Sequence, residues 1–477
     1  YPFWDIDHYR HQFRIARSYG FNHVRLHSWT PPEPFWQAAD ELGMLVQTEL
    51  PNWSEFYRAD DTEPPADVQH FMMNELEQIV AALNLHPSGV MFSNGNELIS
   101  PEGHHHLIEL NARGKELDPT RLFTDNTGFG QLPAPSRTVD YFIQSCNWHP
   151  PKKIYDAAPN DTTEDFSAIT ALSDRPVIGH EHGQFTMYVR PSEAQKYTGA
   201  LRPSWLESIE ETFAAKIISP ERVEEFIQAS GMHMVRTYKE NIERARRTRG
   251  LAGLQLLDIR DFPGQGHATT GILDMFWDSK GLIEPDTFSD FTGAVASLMR
   301  AASPTFWNGA TIDVDLEVSN FGREALTDGT LNWELIALDG TTHLSGPMAI
   351  PVAPVGELTA LGHLAIAVPS DSQPRAWELA ARVGAFSNHW HLWTFPYPER
   401  DAGRGIGSRI LNLRSALPKA DFGDNYGGTF LRIDGKFREM MNPALKVALS
   451  DRLSLRLLQY LQDGGKVWLM PDAEQLY

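Results

Sequence analysis

The first half of the chain alternates short apolar runs with amphipathic segments, and this alternation restricts the fold more than any other feature. Seven apolar runs bounded by turn residues predict strands at 22–27, 44–49, 89–93, 122–125, 139–145, 177–181 and 253–258. Segments with apolar residues at helical spacing lie between most of them, for example 5–20, 35–42 and 67–85. Strands that alternate with helices pair in parallel, so this region predicts an α/β barrel.

Two of the predicted strands end at carboxylates. Asn96 and Glu97 follow the strand at 89–93, and Glu181 ends the strand at 177–181 between two histidines. The carboxyl ends of barrel strands are where such enzymes keep their chemistry. Two carboxylates at two strand ends are the pair that glycoside hydrolysis requires. The alternative is that Asn96 and Glu97 cap the following helix, because Asn is strongly preferred at helix starts.

Five motifs in order resemble the catalytic barrel of glycoside hydrolase family 2, which includes β-galactosidases, β-glucuronidases and β-mannosidases. They are FNHVRLH at 21–27, ADELGMLVQTELP at 39–51, HPS at 86–88, GNE at 95–97 and PVIGHE at 176–181. The resemblance covers about residues 3–285 and, more loosely, the β-rich region after them.

The resemblance implies a (β/α)8 TIM barrel and an exo-acting, retaining β-glycosidase that acts on the terminal sugars of oligo- or polysaccharides. Glu97 would then be the acid/base and Glu181 the nucleophile, while Asn96 would bond the sugar hydroxyl next to the anomeric carbon. The family's first barrel strand precedes the segment that matches residues 5–20. We therefore expect that strand, and the domains that the family carries before it, upstream of Tyr1.

Further candidates for sugar contact share a position at or just after a strand end. They are Arg25, His27, Glu49, Trp148, His149, His180, Asp258 and Arg260. His27 could contact sugar or make a hydrogen bond in the core, and Trp148 could stack on a sugar or pack in the barrel rim. Glu49 has a family counterpart that supports the site without reacting. If either histidine beside Glu181 is charged, it would favour the carboxylate form of that residue.

The last predicted strand departs from the better-known members of the family, which usually carry a tryptophan there. This chain instead has LQLLDIRDF at 254–262, with Asp258 and Arg260 after the apolar run. Arg260 would suit an acidic sugar by bidentate pairing, or it could form a structural ion pair with Asp258 or Asp261. The sugar and the linkage therefore stay open.

The histidines do not show the spacing of a metal site. His104, His105 and His106 are consecutive, and neighbouring positions on a helix do not face one way. His180 and His182 lack the i, i+4 spacing of a zinc helix. We therefore expect no metal site and no obligatory cofactor.

The domain organisation follows from changes in the hydrophobic period. Residues 1–303 form the predicted barrel domain, with a long insertion at 185–250 in which Ser219 and Pro220 open a helix with a basic last turn. Period-two alternation from Ile312 predicts an all-β, immunoglobulin-like sandwich over 304–397. Residues 398–477 are interpreted as a linker followed by an incomplete, truncated α/β segment.

Composition excludes several partners. The formal net charge of −21 disfavours nucleic acid and anionic membranes, and no apolar run is long enough to span a bilayer. A carbohydrate is the expected partner. A single cysteine excludes an intramolecular disulfide and leaves the compartment open, with a periplasmic or secreted bacterial location favoured over the cytoplasm. Two rival functions remain: an inverting hydrolase or lyase on the same barrel, and a non-catalytic carbohydrate-binding protein.

Overall fold

The computed structural model describes most of the chain. The described residues are 3–57, 63–98, 105–128, 138–146, 161–200, 202–263, 267–327, 329–370, 372–396, 429–433, 436–442, 447–450, 461–464 and 466–469. They divide into two compact units, residues 1–396 and 397–477.

All seven predicted strands of the first half are present, most of them shorter than predicted or shifted by one or two residues. They are β1 (His23–Arg25), β2 (Leu45–Glu49), β3 (Gly89–Ser93), β4 (Leu122–Thr124), β5 (Phe142–Gln144), β6 (Val177–Gly183) and β7 (Leu251–Leu257). Every pairing among them is parallel, in the orders β1-β2-β3-β4 and β5-β6-β7. A single parallel bridge between Gly128 and Gln144 connects the two groups. This arrangement confirms the TIM-barrel type of fold.

The barrel is open on one side. Within the described residues no ladder joins β1 to β7, so the wall has seven strands there where a closed barrel of this type has eight. Apolar side chains such as Phe13 and Leu254 line the gap between the two strands.

Helices cover the outside of the strands. They are α1 (Ile6–Ser18), α2 (Glu33–Leu42), α3 (Ala66–Leu83), α4 (His105–Leu117) and the short α5 (Ser167–Thr170). Asp5 caps α1 by accepting a hydrogen bond from the backbone N–H of Asp7 at 3.0 Å, as its position before the amphipathic run predicts. Gly43 ends α2 in the left-handed conformation, with φ at 65°.

The insertion before β7 is helical. Residues 191–196 form a 3-10 turn, and α6 (Ser204–Ala215) and α7 (Pro220–Arg246) follow. Ser219 caps α7 with Pro220 in its first turn, as predicted. The basic end of α7 is used structurally, because Arg246 donates to the backbone carbonyls of Gly293 at 2.5 Å and Ser319 at 3.2 Å.

A β-sandwich completes the first unit, after α8 (Pro285–Thr292). One sheet has the order β13-β10-β8 and the other β12-β11-β14-β15-β9. The strands are β8 (Val295–Arg300), β9 (Thr305–Trp307), β10 (Thr311–Asn320), β11 (Thr330–Ala337), β12 (Thr342–Ala349), β13 (Glu357–Ala367), β14 (Arg375–Val383) and β15 (Phe386–Phe395). Strand β8 lies before the predicted boundary at 304, yet it pairs with β10. The strand is buried on both faces, Ser297 included, so it lacks the alternation that revealed the other strands.

The second unit contains a four-stranded sheet. Its strands are β16 (Thr429–Ile433), β17 (Lys436–Asn442), β18 (Val447–Ser450) and β19 (Lys466–Leu469). The first three are antiparallel, and β19 adds to β18 in parallel. The predicted linker lies outside the described residues, as does most of the predicted helix before β19. No described helix combines the length and apolar character needed to cross a bilayer.

Candidate active site

Glu97 and Glu181 line one cleft at the carboxyl ends of the barrel strands, and this cleft continues into the gap between β1 and β7, with a total volume of about 580 Å³. A carboxylate oxygen of each residue and a ring nitrogen of His180 all lie within 4.8 Å of one another. Asn96 forms a parallel bridge with Thr127, and Glu97 has a left-handed backbone conformation, so neither residue begins a helix. The alternative in which Asn96 and Glu97 cap the next helix is therefore wrong.

The backbone is strained at both glutamates. Glu97 has φ at 53° and Glu181 at 40°, in the left-handed region that non-glycine residues rarely adopt. Such conformations cost about 1–3 kcal/mol each and concentrate at functional sites. Gly128 permits the close approach, because a Cβ there would lie 2.9 Å from Nε2 of His180 and 3.2 Å from Cγ of Glu97.

Arg25 organises one side of the cleft. Its guanidinium donates to Glu49 Oε1 at 2.6 Å, to Glu181 Oε1 at 2.9 Å and to Asn96 Oδ1 at 2.5 Å. Burial works against the charge, but Glu49 and Glu181 raise the pKa of Arg25 above its ordinary value. We call Arg25, Glu49, Asn96 and Glu181 the bonded wall.

Glu49 is fully buried in the bonded wall. Besides Arg25, it accepts hydrogen bonds from the backbone N–H of Ser28 at 2.8 Å, from Thr127 Oγ1 at 2.9 Å and from Gln47 Nε2 at 3.1 Å. A carboxylate with this many donors is satisfied within the protein. The position of Glu49 agrees with a supporting role, and no local sequence signal identified Gln47 or Thr127 as its partners.

The two histidines beside Glu181 are neutral near neutral pH, so the condition under which they would favour its carboxylate form is not met. Burial, aided by Arg25 and His27, holds the pKa of His180 well below 6.5, and burial lowers the pKa of His182 to about 4. His180 Nε2 lies 3.6 Å from Glu181 Oε1. His182 bonds the backbone carbonyl of Asn241 at 3.0 Å, away from the cleft. The cation beside the Glu181 carboxylate is Arg25, which donates to it at 2.9 Å.

Exposed aromatic residues line the mouth of the cleft. His27 is exposed there, edge to face with Trp53 at a ring distance of 5.2 Å, and it makes no core hydrogen bond among the described residues. Trp53 and Trp29 are 50% and 43% exposed, and both line the cleft. The sequence reading missed both tryptophans, although each follows a strand end. Exposed indoles at a polar cleft are suited to stacking on sugar rings.

The opposite side of the cleft, at the end of β7, is held less firmly. Asp258, Arg260 and Trp277 line it, and we call these three residues the open wall. Burial raises the pKa of Asp258 against the opposing influence of Arg260. The Arg260 guanidinium lies 5.7 Å from the Trp277 ring centre.

The expected ion pair of Arg260 is absent from the described part of the chain. Arg260 donates only to the backbone carbonyl of Asp261, at 3.0 Å. The Asp261 carboxylate is instead bonded to Lys280 at 2.7 Å and to the backbone N–H of Gly271 at 2.9 Å. A buried lysine distant in sequence therefore takes the carboxylate that a local reading assigned to Arg260. Trp148 and His149 lie outside the described residues.

Comparison with protein families agrees with this geometry. Residues 3–233 match the model for the TIM barrel domain of family 2 glycosyl hydrolases. These residues belong to glycosyl hydrolase family 2. Residues 310–396, which cover most of the sandwich, match a domain of unknown function.

Each of the individual relatives either matches only a small part of this chain or has a low sequence identity to it. A Formosa agariphila protein provisionally named a beta-glucuronidase is 33% identical over 126 residues, which is 26% of this chain and 12% of that protein. A beta-D-mannosidase of Dictyoglomus thermophilum aligns with a TM-score of 0.53 at 16% identity, covering 83% of this chain and 49% of the mannosidase. The exo-chitosanase CsxA of Amycolatopsis orientalis aligns with a TM-score of 0.50 at 15% identity, covering 82% of this chain and 47% of the chitosanase. The chain thus spans less than half of each of these relatives, and the two structural likenesses show the fold alone.

Proposed function

We propose that the protein is an exo-acting, retaining β-glycosidase that uses Glu97 as acid/base and Glu181 as nucleophile. The observation that carries this proposal is the meeting of the two carboxyl groups in one cleft with oxygens no more than 4.8 Å apart. Retaining enzymes hold their two carboxyl groups about 5–5.5 Å apart, whereas inverting enzymes need about 6.5–9.5 Å for an interposed water. The short separation favours retention over the inverting rival.

The two glutamates would act in two displacements. In the first, Glu181 attacks the anomeric carbon to form a glycosyl ester, and the Glu97 carboxyl gives its proton to the departing glycosidic oxygen. In the second, Glu97 takes a proton from water, the water oxygen attacks the same carbon, and the ester bond to Glu181 breaks. Each displacement inverts the configuration at the anomeric carbon once, so after two displacements the product keeps the β configuration.

The surroundings suit these roles. Arg25 donates a hydrogen bond of 2.9 Å to the Glu181 carboxylate, which holds the proposed nucleophile in place. The same arginine holds Asn96, whose amide would bond the sugar hydroxyl next to the anomeric carbon. Neither ring nitrogen of the buried His180 has a hydrogen-bond partner among the described residues. A sugar hydroxyl in the cleft would provide one.

For the sugar, the open wall favours an anionic substituent such as a uronate. Arg260 lines the cleft without a carboxylate partner in the described part of the chain, and a guanidinium pairs readily with a carboxylate in two hydrogen bonds. The name of the Formosa agariphila relative agrees with this preference. The proposed substrate is therefore a terminal, β-linked acidic sugar.

The deciding experiment is the anomeric configuration of the first-formed sugar, followed by NMR with the full-length protein and a panel of aryl β-glycosides. We expect the β anomer to appear first and a β-glucuronide to be the best substrate of the panel. An α anomer would show inversion. Binding of the glycosides without turnover would show that the protein is a carbohydrate-binding protein.

A further inference from the structure

The outer face of the sandwich carries a cluster of metal-binding side chains well separated in sequence from the barrel glutamates. His389 and His391 are two residues apart on β15, so both side chains stand on the same face of the sheet. Glu378 on β14 is the register partner of His391, which places its carboxylate beside the two imidazoles. One ligand atom from each of the three residues lies within 4.8 Å of the other two.

We propose that Glu378, His389 and His391 form a site for a divalent first-row transition metal, with zinc as the natural occupant. Two imidazole nitrogens and one carboxylate oxygen are a common zinc ligand set, and such sets keep a further position open for water. Zinc bound at about 2.0–2.1 Å from each ligand in a tetrahedron places the ligand atoms about 3.4 Å apart. The side chains would therefore close inward by no more than about 1.5 Å, which χ rotations at a partly exposed position allow.

The rigid part of this site is the backbone that carries it. Strand β15 pairs with β14 over nine residue pairs without a register shift, and it pairs with β9 on its other side. His389 and Glu378 are half-buried and His391 is exposed, so the ligands meet at an accessible surface. Trp393, the next residue on the same face, lies 6.3 Å from the His391 ring. A metal ion therefore has access to a set of ligands whose Cα positions are fixed.

Two cations of α7, Arg236 and Lys239, lie near the site, and Glu378 is the anion that offsets them at His391. The Lys239 ammonium is largely occupied, because it bonds Glu243 and, at 2.6 Å, the Asn388 side chain.

An acidic residue from the barrel side adds to the site. Ser387, two residues before His389 on the same face, donates to Asp290 Oδ1 of α8 at 3.0 Å. This bond brings a second carboxylate to the edge of the cluster. Zinc-binding histidines commonly use their other ring nitrogen to bond such a carboxylate. A metal on β15 would therefore tie the sandwich face to α8 as well as to β14.

The test uses the full-length protein stripped with EDTA and titrated with ZnCl2 by isothermal calorimetry and thermal melting. We expect a saturable event with one zinc per chain and a rise of several degrees in the melting midpoint. The variants His389→Ala, His391→Ala and Glu378→Gln should each weaken this event at least about tenfold. The matched control is His70→Ala, which removes an exposed histidine from α3 and should leave zinc binding unchanged.

A structural readout keeps the proposal open to refutation if a variant is less stable. X-ray absorption of the zinc-loaded wild-type protein should show two imidazole ligands with oxygen ligands. Zinc binding that survives in His391→Ala and Glu378→Gln at wild-type strength would overturn the proposal, as would absorption spectra without imidazole scattering. Absence of any saturable zinc event in the wild-type protein would overturn it too.

Discussion

The two walls of the cleft differ in how many partners their charged groups have. On the bonded wall, Arg25 donates to three different side chains, and Glu49 accepts from four residues. On the open wall, Arg260 has one hydrogen-bond partner among the described residues, a backbone carbonyl, and it lies beside the ring of an aromatic residue. A charge with a full set of partners is fixed in place, while a charge with few partners is available for a ligand.

This difference separates two requirements of an enzyme. The reacting groups have to be held within a fraction of an ångström, which calls for the network around Arg25. Discrimination between sugars requires polar groups that stay unpaired until the right substrate arrives. We therefore expect changes on the bonded wall to abolish reaction or folding, and changes on the open wall to alter substrate choice.

The largest expected effect is on the reaction itself. Glu181→Ala should reduce kcat on all β-glycosides by roughly four orders of magnitude or more, because no other carboxylate can replace the nucleophile. Added azide should restore part of the turnover and give a glycosyl azide of inverted configuration. The measurement is product analysis by NMR with and without azide. Absence of the azide product, or substantial activity without azide, would count against the role of Glu181.

Removal of the proposed acid should lower activity by an amount that depends on the leaving group of the substrate. Glu97→Ala should cost about 10²–10⁴-fold on natural glycosides, which need protonation of the departing oxygen. Nitrophenyl glycosides need little protonation, so bond cleavage should suffer far less with them. The check is the ratio of kcat/KM for the two substrate types in wild-type and variant proteins. An equal loss on both types would remove Glu97 from the acid role.

Much of this molecule could be predicted from sequence because its signals are local. The barrel strands were found because short β-branched runs stop at turn residues, and β3 matches its predicted bounds. Strand β8 was placed on the barrel side of the boundary because VASLMR has no period-two alternation to separate it from a barrel segment. Local periodicity predicts where a strand lies but not which sheet the strand joins.

The site was predicted less completely than the fold. Glu97, Glu181 and Arg25 were named from strand ends, but the pairing of Arg260 was wrong because Lys280, twenty residues further on, takes the Asp261 carboxylate. Whether the histidines beside Glu181 carry charge was left open, because burial, which sequence does not show, lowers their pKa values. The His389 and His391 pair was overlooked although its i, i+2 spacing on an alternating strand was visible, since the third ligand comes from another strand.

Stability should distinguish the two walls directly. Arg25→Met leaves the fully buried Glu49 without its cation, and breaking a buried ion pair in this way costs about 3–5 kcal/mol of unfolding free energy. The matched change Arg260→Met removes no ion pair of the described chain and should cost less than about 1 kcal/mol. Urea unfolding of both variants followed by circular dichroism provides the comparison. Equal destabilisation would show that the two walls are held alike.

Specificity should respond in the opposite order. Arg260→Met should lower kcat/KM for an aryl β-glucuronide by about 10–100-fold, since a hydrogen bond to a charged group contributes about 1.5–3 kcal/mol. The same variant should act on the matching β-glucoside within about twofold of the wild type, because that sugar has no carboxylate to lose. Retention of the configuration should be unchanged. A parallel loss on both substrates would mean that Arg260 supports the site in general, and the proposed acidic sugar would fail while the glycosidase proposal stands.

The smallest expected effect is on the pH dependence of the unfolding free energy. It concerns His182, which is buried and hydrogen-bonded like the groups of the bonded wall. The unfolded chain binds a proton at this histidine below a pKa of about 6.5, whereas the folded chain does so only below about 4. Its contribution to stability is therefore fully present above pH 6.5 and is lost as the pH falls from there to about 4. Between those limits one such histidine gives a slope of up to about 1.4 kcal/mol per pH unit.

His182→Gln should be less stable at pH 7, because it loses a buried hydrogen bond of 3.0 Å, yet its unfolding free energy should fall less steeply between pH 6 and pH 5. His70→Gln, at an exposed position, should keep the wild-type slope. Equal slopes in the His182 variant and the wild type would show that His182 takes up its proton at the same pH in the folded and unfolded chain.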